Sequence, residues 1–226
     1  MLSVLSPTGV PHTMLTGTAN PDQPLKALAA VTAVQERLAP LADTSLVTFA
    51  EGRTTVVMHR LIQRVIRERA TVDETLPAAV DYALDLLHGY NQQIPGGAHT
   101  WAARTTVEAL LEQTDTLYTL TAPDLSSRLL TLRVWCGRYL TDLADFTRAI
   151  PLLKQTLADY ERVLGVDHPD TLNSRNNLAG AYQSAGDLDR AIPLYGVPLM
   201  NVSPAPNEDH LSRSRPLTGR DSVASS

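Results

Sequence analysis

Apolar residues recur at helical spacing along most of the chain, and in one place the recurrence is itself duplicated. Residues 148–152 read Arg-Ala-Ile-Pro-Leu, and the same five residues return at 190–194, an offset of 42 residues. Internal periods of roughly 20 to 50 residues are typical of stacked helical repeats. The pattern therefore predicts two copies of a helical hairpin between residues 130 and 195.

In each copy, small residues are also spaced so that large residues of the other helix can pack against them. An apolar-small pair on the first helix is followed by a large apolar residue, and the second helix carries a small residue and then a large one four positions later. Large side chains are therefore expected to pack on small ones across each hairpin. The residues are Cys136, Gly137, Leu140, Ala149 and Leu153 in the first copy, and Leu178, Ala179, Tyr182, Ala191 and Tyr195 in the second.

The predicted boundaries of the second hairpin follow from its punctuating residues. Pro169 suits a first helical position, where its missing N–H costs nothing, and Asp170 beside it suits the positive end of the helix dipole. Gly186 suits the left-handed position after a helix, and Asp187 can cap the next one. The sequence thus predicts a helix from 169 to 185 and a second helix after residue 187.

This apolar-small pattern resembles the tetratricopeptide repeat over about residues 130 to 196. The phrase Asp167-His168-Pro169-Asp170-Thr171-Leu172, followed by Asn176-Asn177-Leu178-Ala179, is similar to the 42-residue variant found in kinesin light chains. The resemblance implies an α-solenoid fragment that binds a protein or peptide partner in a concave groove.

A candidate peptide site follows from the resemblance and from helical spacing. The groove-lining face of the first helix of the second repeat carries amides, which both donate and accept hydrogen bonds and suit the backbone of an extended peptide. The alternative is a merely solvated helix face. The candidate residues are Asn173, Asn176, Gly180 and Gln183, with Thr131, Val134, Arg138 and Thr141 at the equivalent positions of the first repeat; Arg138 would favour acidic partners.

Residues 1–70 have a different pattern. An alanine-rich helix is predicted from 25 to 38, and Pro40 is expected to interrupt it. Two β-rich runs, 45–50 and 54–58, predict a hairpin. A helix follows, with Leu61, Ile62, Val65, Ile66 and Ala70 on its expected buried face and arginines mostly on the other. Helix, hairpin and helix together predict a winged-helix-like segment.

The junction after the second strand carries the residue of greatest functional interest. Met58-His59-Arg60 resembles the Met-His-Asp motif of NB-ARC-type switch ATPases of the STAND class, in which the histidine approaches bound ADP. The resemblance makes His59 a vestigial nucleotide-sensing residue, although Arg60 stands where many relatives have Asp. No G-x-x-x-x-G-K-[ST] phosphate-binding loop occurs, so this chain alone is not expected to hydrolyse ATP. The alternative for His59 is a structural role at the strand–helix junction.

A DNA-binding winged-helix regulator is the second functional hypothesis. Arginines concentrate near the hairpin and the following helix, at positions 53, 60, 64, 67 and 69. The net charge of −5 argues against nucleic acid, because neutralising phosphates needs a surplus of Lys and Arg. The arginines fit a solvated helix face equally well, and binding to nucleic acid is not the favoured hypothesis.

The remaining segments complete the predicted organisation. Residues 71–125 are expected to form a helical linker module, 126–196 the two repeats, and 197–226 a disordered Pro/Ser-rich tail. Two repeats are fewer than a solenoid usually needs. Self-association through the last repeat is therefore predicted, with Ile192, Leu194 and Tyr195 forming part of an under-covered apolar end.

Composition supports a mainly α-helical, non-enzymatic chain. Of its 226 residues, 43% are apolar and 19% charged, and only two are phenylalanine, which predicts an aliphatic core. The single cysteine, Cys136, is expected to be a buried, inert thiol in a reducing cytoplasm. No leader, membrane span, metal site, cofactor or catalytic group is predicted.

Overall fold

The computed structural model describes residues 1–16, 24–50, 52, 54–94, 101–122 and 125–195, without the side chains of 24–31. The predicted tail at 197–226 lies outside these residues. The described chain is mainly helical, as the sequence predicted, and its N-terminal part contains one small sheet. The winged-helix-like assignment of residues 1–70 and the domain boundaries stay predictions.

The N-terminal part contains a sheet with one more strand than the sequence indicated. After a 3-10 helix, Leu2–Val4, the elements are β1 (Val10–Pro11), α1 (His12–Thr16), α2 (Pro24–Asp43), β2 (Val47–Ala50) and β3 (Thr55–Met58). The order in the sheet is β1-β3-β2, with both pairs antiparallel. The predicted hairpin is present as β2 and β3. The two-residue strand β1 is too short to leave a periodic signal.

Pro40 does not interrupt its helix, so that prediction was wrong. The residue lies inside α2, which continues to Asp43. The apolar side chains that flank the proline pack against the core and keep this turn helical despite the missing N–H: they are Leu38, Leu41 and Ala42. Tertiary packing thus overrides the local preference of proline.

The next helix, α3 (Arg60–Val72), buries only part of the predicted face: Ile62 packs against the core and Ala70 is half-buried, but the other three residues of that face are exposed. Leu61 and Val65 are 65% and 63% exposed, and Ile66 is 40% exposed, whereas Gln63 is buried. The Gln63 amide donates to the carbonyls of Leu2 and Leu5, at 3.2 and 3.1 Å. The N-terminal turn leaves backbone carbonyls that need donors, and a polar helix face supplies them.

Six further helices form three successive hairpins. They are α4 (Leu76–Asn91), α5 (Arg104–Thr121), α6 (Ser127–Asp142), α7 (Phe146–Leu164), α8 (Pro169–Ser184) and α9 (Leu188–Tyr195). The last four confirm the predicted repeats. The 42-residue offset also extends back to α5, because Thr114 and Thr156 are both buried and both donate to the carbonyl four residues earlier. The predicted linker therefore adds a hairpin that stacks on the first repeat.

The core divides at α7. One cluster of buried apolar residues joins the N-terminal turn, the sheet and α4 to α6. A second, smaller cluster joins one face of α7 to α8 and α9 through Leu153, Leu157, Leu178, Ala181 and Tyr182. Gln113 on α5 fixes the N-terminal segment to the first cluster: it accepts from the Ser6 N–H at 2.7 Å and donates to the Gly9 carbonyl at 2.8 Å.

Candidate protein-interaction surface

The predicted amide face lies on α8, the first helix of the second repeat. Asn173 and Gln183 are exposed there and Asn176 is half-buried, at spacings of three and seven residues that keep them on one side of the helix. The opposite side, with Leu178, packs into the core. The three amides therefore share an accessible polar strip beside α6, which contacts α8.

Tyr195 of α9 also reaches this strip, which the sequence did not indicate. Its hydroxyl donates to Gln183 Oε1 at 2.9 Å and lies 3.6 Å from the position that a Cβ on Gly180 would occupy. A Cβ at 180 would therefore make only an ordinary van der Waals contact with this hydroxyl. The spacing of Gly180 within the strip was visible in the sequence, but the reach of a side chain from the next helix was not.

The first-repeat positions contribute unequally. Thr131 shares a hydrogen bond with the Tyr160 hydroxyl at 3.1 Å, and Thr141 donates to the Gly137 carbonyl of its own helix at 2.9 Å. Val134 is only 9% exposed. Arg138 is the exposed charged member of the set. The polar groups that remain available to a partner therefore lie mainly on α8, and Arg138 adds a positive charge on α6.

Two other cations of the repeats, Arg133 and Arg175, are held inside the protein. Arg133 is buried and contacts Gln155 and Thr156, while its guanidinium lies 3.7 Å from the centroid of the Tyr118 ring. Arg175, 42 residues later, pairs with Glu161 at 3.1 Å and its side chain is 13% exposed. These arginines serve packing between helices, which leaves Arg138 as the better candidate for a partner's carboxylate.

His59 occupies a capping position. It precedes α3, and its Nδ1 accepts a hydrogen bond from the Leu61 N–H at 3.3 Å. His168 does the same for α8, accepting from the Asp170 N–H at 3.2 Å. Capping accounts for an exposed histidine at the strand–helix junction. The nucleotide-sensing role of His59 stays a prediction.

The arginines considered for DNA binding are mostly bound by the protein itself. Arg64 pairs with Glu68 at 2.8 Å and Arg69 with Asp73 at 3.4 Å. Arg67 donates to the Ser3 carbonyl at 2.6 Å. Arg53 lies outside the described residues. A continuous basic face is therefore not what α3 presents, and DNA binding stays the less favoured prediction.

An open groove of about 990 Å³ lies between the N-terminal segment and helices α5 to α7. Its charged groups have hydrogen-bond partners within the protein: Arg148 donates to both carboxylate oxygens of Glu108, at 2.8 and 2.7 Å, and Glu112 accepts from the hydroxyls of Ser6 and Thr8. The Arg148 hydrogen bonds hold the pKa of Glu108 below its usual value. We therefore interpret the groove as a structural junction.

Cys136 confirms the predicted buried thiol. The residue is fully buried, and burial raises the pKa of its thiol to about 12. A thiol of that kind is a poor nucleophile at neutral pH. Within the described residues, no cluster of three or more His, Cys, Asp or Glu has the arrangement of a metal site. The helices of the described ranges likewise include none that is long and apolar enough to cross a membrane.

Two parts of the chain match known protein families. Residues 129–196 match the family described as Tetratricopeptide repeat, and residues 1–75 match a Domain of unknown function (DUF7779). Residues 129–196 are therefore similar to tetratricopeptide repeats. No curated protein matches the chain.

Two solved structures are similar to this chain. Both are of nearly identical TPR-like repeats from Podosopora anserina, described as kinesin light chain, and one of them is a variant form of the other. They are 19% and 18% identical, cover 81% of this chain and 86% of their own, and have a TM-score of 0.37. The tetratricopeptide assignment rests on the family match, because a TM-score of this size does not carry a shared fold.

Proposed function

We propose that this protein is a non-enzymatic interaction module whose repeats bind a short, extended peptide across α6 and α8. The observation that supports this most is the strip of Asn173, Asn176 and Gln183, exposed or half-buried on a helix whose other side is packed. Tetratricopeptide repeats generally mediate protein–protein contacts. A strip of amides can satisfy a peptide backbone from both its donors and its acceptors.

The preferred peptide carries an acidic side chain. Arg138 is exposed on α6, the helix of the first repeat that contacts α8, and a guanidinium binds a carboxylate with two parallel hydrogen bonds. Two repeats offer only a short contact. The expected affinity is therefore micromolar, since interfaces of small area without large buried anchors bind weakly.

A wider context is also proposed. The chain represents the regulatory part of a cytoplasmic, nucleotide-dependent switch protein, on the basis of the His59 resemblance. Its last helix provides a second means of association: Leu188 is 53%, Ile192 65% and Tyr195 45% exposed, at spacings that place them on one side of α9. Leu194, which the sequence assigned to the same apolar end, instead packs against the second cluster. This end surface is proposed to pair with another copy or with a further helix.

Peptide selection followed by charge reversal tests the peptide site. Peptides selected from a random library are measured by calorimetry against the native chain and against Arg138→Glu. We expect Arg138→Glu to weaken the acidic peptides about tenfold or more, and Asn176→Ala to weaken them less. Lys154→Glu is the matched control, because Lys154 is an exposed cation of the same repeat, on α7.

The control decides between a site and a general charge effect. Equal weakening by Lys154→Glu and Arg138→Glu would mean that only the overall charge matters. Failure of the library to yield any peptide that binds the native chain would refute the site itself.

A further inference from the structure

The end of α9 lies beside the amide strip, so the chain continues from the edge of the proposed peptide site. The Tyr195 hydroxyl donates to Gln183 Oε1 at 2.9 Å and lies 3.6 Å from the position of a Cβ on Gly180. Tyr195 is also the last residue of α9. Residues 196–226 therefore begin within one tyrosine side chain of the strip.

A positive charge without a partner lies on the neighbouring helix. Arg138 precedes Gly180 by the 42-residue offset, so it occupies the equivalent turn of α6, which contacts α8. The residue is exposed, and in the part of the chain that the structure describes its guanidinium has no hydrogen bond or ion pair. Such a cation beside a strip of amides favours an occupant that carries a carboxylate.

The chain itself carries a segment of that chemistry. Residues 204–209 read Pro-Ala-Pro-Asn-Glu-Asp, and Glu208 with Asp209 is the one pair of adjacent acids in residues 196–226, where the remaining acidic residue is Asp221. The two prolines favour an extended backbone, since a proline disfavours the helical conformation of the residue before it. An extended segment can present its backbone groups to a strip of amides.

We propose that residues 204–209 occupy the amide strip of the same molecule, with their acidic pair beside Arg138. The proposal rests on the proposed peptide site. Glu208 comes 13 positions after Tyr195, and 13 extended residues span at most about 45 Å. The 16 residues of α8 are only about 24 Å long. The acidic pair can therefore reach any part of the strip.

The occupant then competes with peptides from other proteins. Attachment to the same chain holds such a segment at an effective concentration of about 1 mM. A segment whose free peptide has a Kd of about 100 μM is then bound in about nine molecules of ten. An incoming peptide consequently binds about tenfold more weakly than it would to an empty site.

A labelled peptide of residues 203–212 tests this competition. Its binding is measured by fluorescence anisotropy against the whole native chain and against Glu208→Gln/Asp209→Asn, which keeps the size of both side chains and removes their charge. We expect a Kd of about 100 μM for the double variant and about tenfold weaker binding to the native chain, whose site is already occupied. Asp221→Asn is the matched control and should bind the peptide as the native chain does.

The site of binding is checked in the same way. Adding Arg138→Glu to the double variant is expected to weaken the peptide about tenfold or more, whereas adding Lys154→Glu leaves its affinity unchanged. Equal affinities of the native chain and the double variant, the same gain from Asp221→Asn, or no binding to the double variant would overturn the proposal. If the two chains bind alike in the dilute part of the titration and differ only later, the occupant is a second copy, which also overturns it.

The peptides selected from the random library separate this failure from that of the peptide site. If they bind in a manner that depends on Arg138 while the peptide of residues 203–212 does not bind, the site stands and the tail is not its ligand. If neither kind of peptide binds, the proposed function fails as well.

Discussion

The two repeats have corresponding residues in different surroundings. The first is enclosed between the α4–α5 hairpin and the second repeat, whereas α9 has a neighbour in α8 and an exposed outer side. Leu153 is fully buried, but Tyr195, 42 residues later, is 45% exposed; Ile150 is half-buried, but Ile192 is 65% exposed. Equal sequence patterns therefore yield unequal burial, because a solenoid repeat acquires much of its core from its neighbours.

The largest difference in stability is expected between variants at Leu153 and Tyr195, which occupy equivalent positions of the two repeats. Leu153 packs so closely on the first helix that a Cβ on Gly137 would lie 2.5 Å from its Cδ2 atom. Leu153→Ala is therefore expected to lower the free energy of unfolding by about 3 kcal/mol, since it leaves a cavity at the division between the two clusters. Tyr195→Ala should cost less than about 1 kcal/mol, because nearly half of that side chain is already in water.

Urea unfolding of both variants measures the comparison. Amide hydrogen exchange shows which helices open first. If the second repeat opens before the first, α8 and α9 are expected to exchange before α6. Equal losses for the two variants would show that the open end is covered in solution.

The repeats were also the part of the fold that could be predicted from sequence. The 42-residue offset, the Pro169 start and the left-handed Gly186 all follow from local geometry that the residues themselves carry, and Gly186 has φ 81°. The orientation of α3 could not be predicted. Its direction depends on the carbonyls of Leu2 and Leu5, far away in sequence, which require a donor from Gln63.

The candidate site could likewise be predicted only in part from the sequence. Helical spacing was sufficient to place Asn173 and Asn176 on one exposed strip. It could not indicate that the Tyr195 hydroxyl binds Gln183, because that contact depends on how α9 crosses α8. Nor could spacing indicate which arginines are free, since Arg133 is buried through partners on two other helices.

A second, smaller difference is expected between Arg133 and Arg175. Arg133 binds Asp115 on α5 and both Gln155 and Thr156 on α7, so it links the added hairpin to the first repeat. Its replacement by methionine, which keeps the aliphatic stem, should lower the free energy of unfolding by about 2 kcal/mol, because hydrogen bonds to a charged group are lost.

Arg175→Met provides the matched measurement. Arg175 pairs with Glu161, which is itself partly exposed, so its loss should cost less than about 1 kcal/mol. Thermal unfolding of both variants gives the comparison. If Arg133→Met is as stable as Arg175→Met, the contact of Arg133 with Asp115 on α5 adds no stability beyond that of apolar packing.

The smallest difference is expected at the turn inside each repeat, where Ala144 of the first copy takes the place of Gly186 in the second. Ala144 and Gly186 both follow a helix in left-handed geometry, with φ 58° and 81°. The turns share the same hydrogen bonds: the N–H of Ala144 donates to Thr141, and that of Gly186 to Gln183, at 2.9 and 3.0 Å. At this position the first repeat carries a Cβ and the second does not, and an L residue is strained in this region.

Exchanging the two residues should consequently change stability in opposite directions. Ala144→Gly relieves the strain and is expected to raise the free energy of unfolding by up to about 1 kcal/mol, reduced by the greater freedom of glycine in the unfolded chain. Gly186→Ala should lower it by about 1 kcal/mol, and no atom lies within 4 Å of the added Cβ, so the cost is conformational. If Gly186→Ala has no effect on the urea midpoint while Ala144→Gly does, the second repeat is already open at the midpoint, and the two repeats unfold separately.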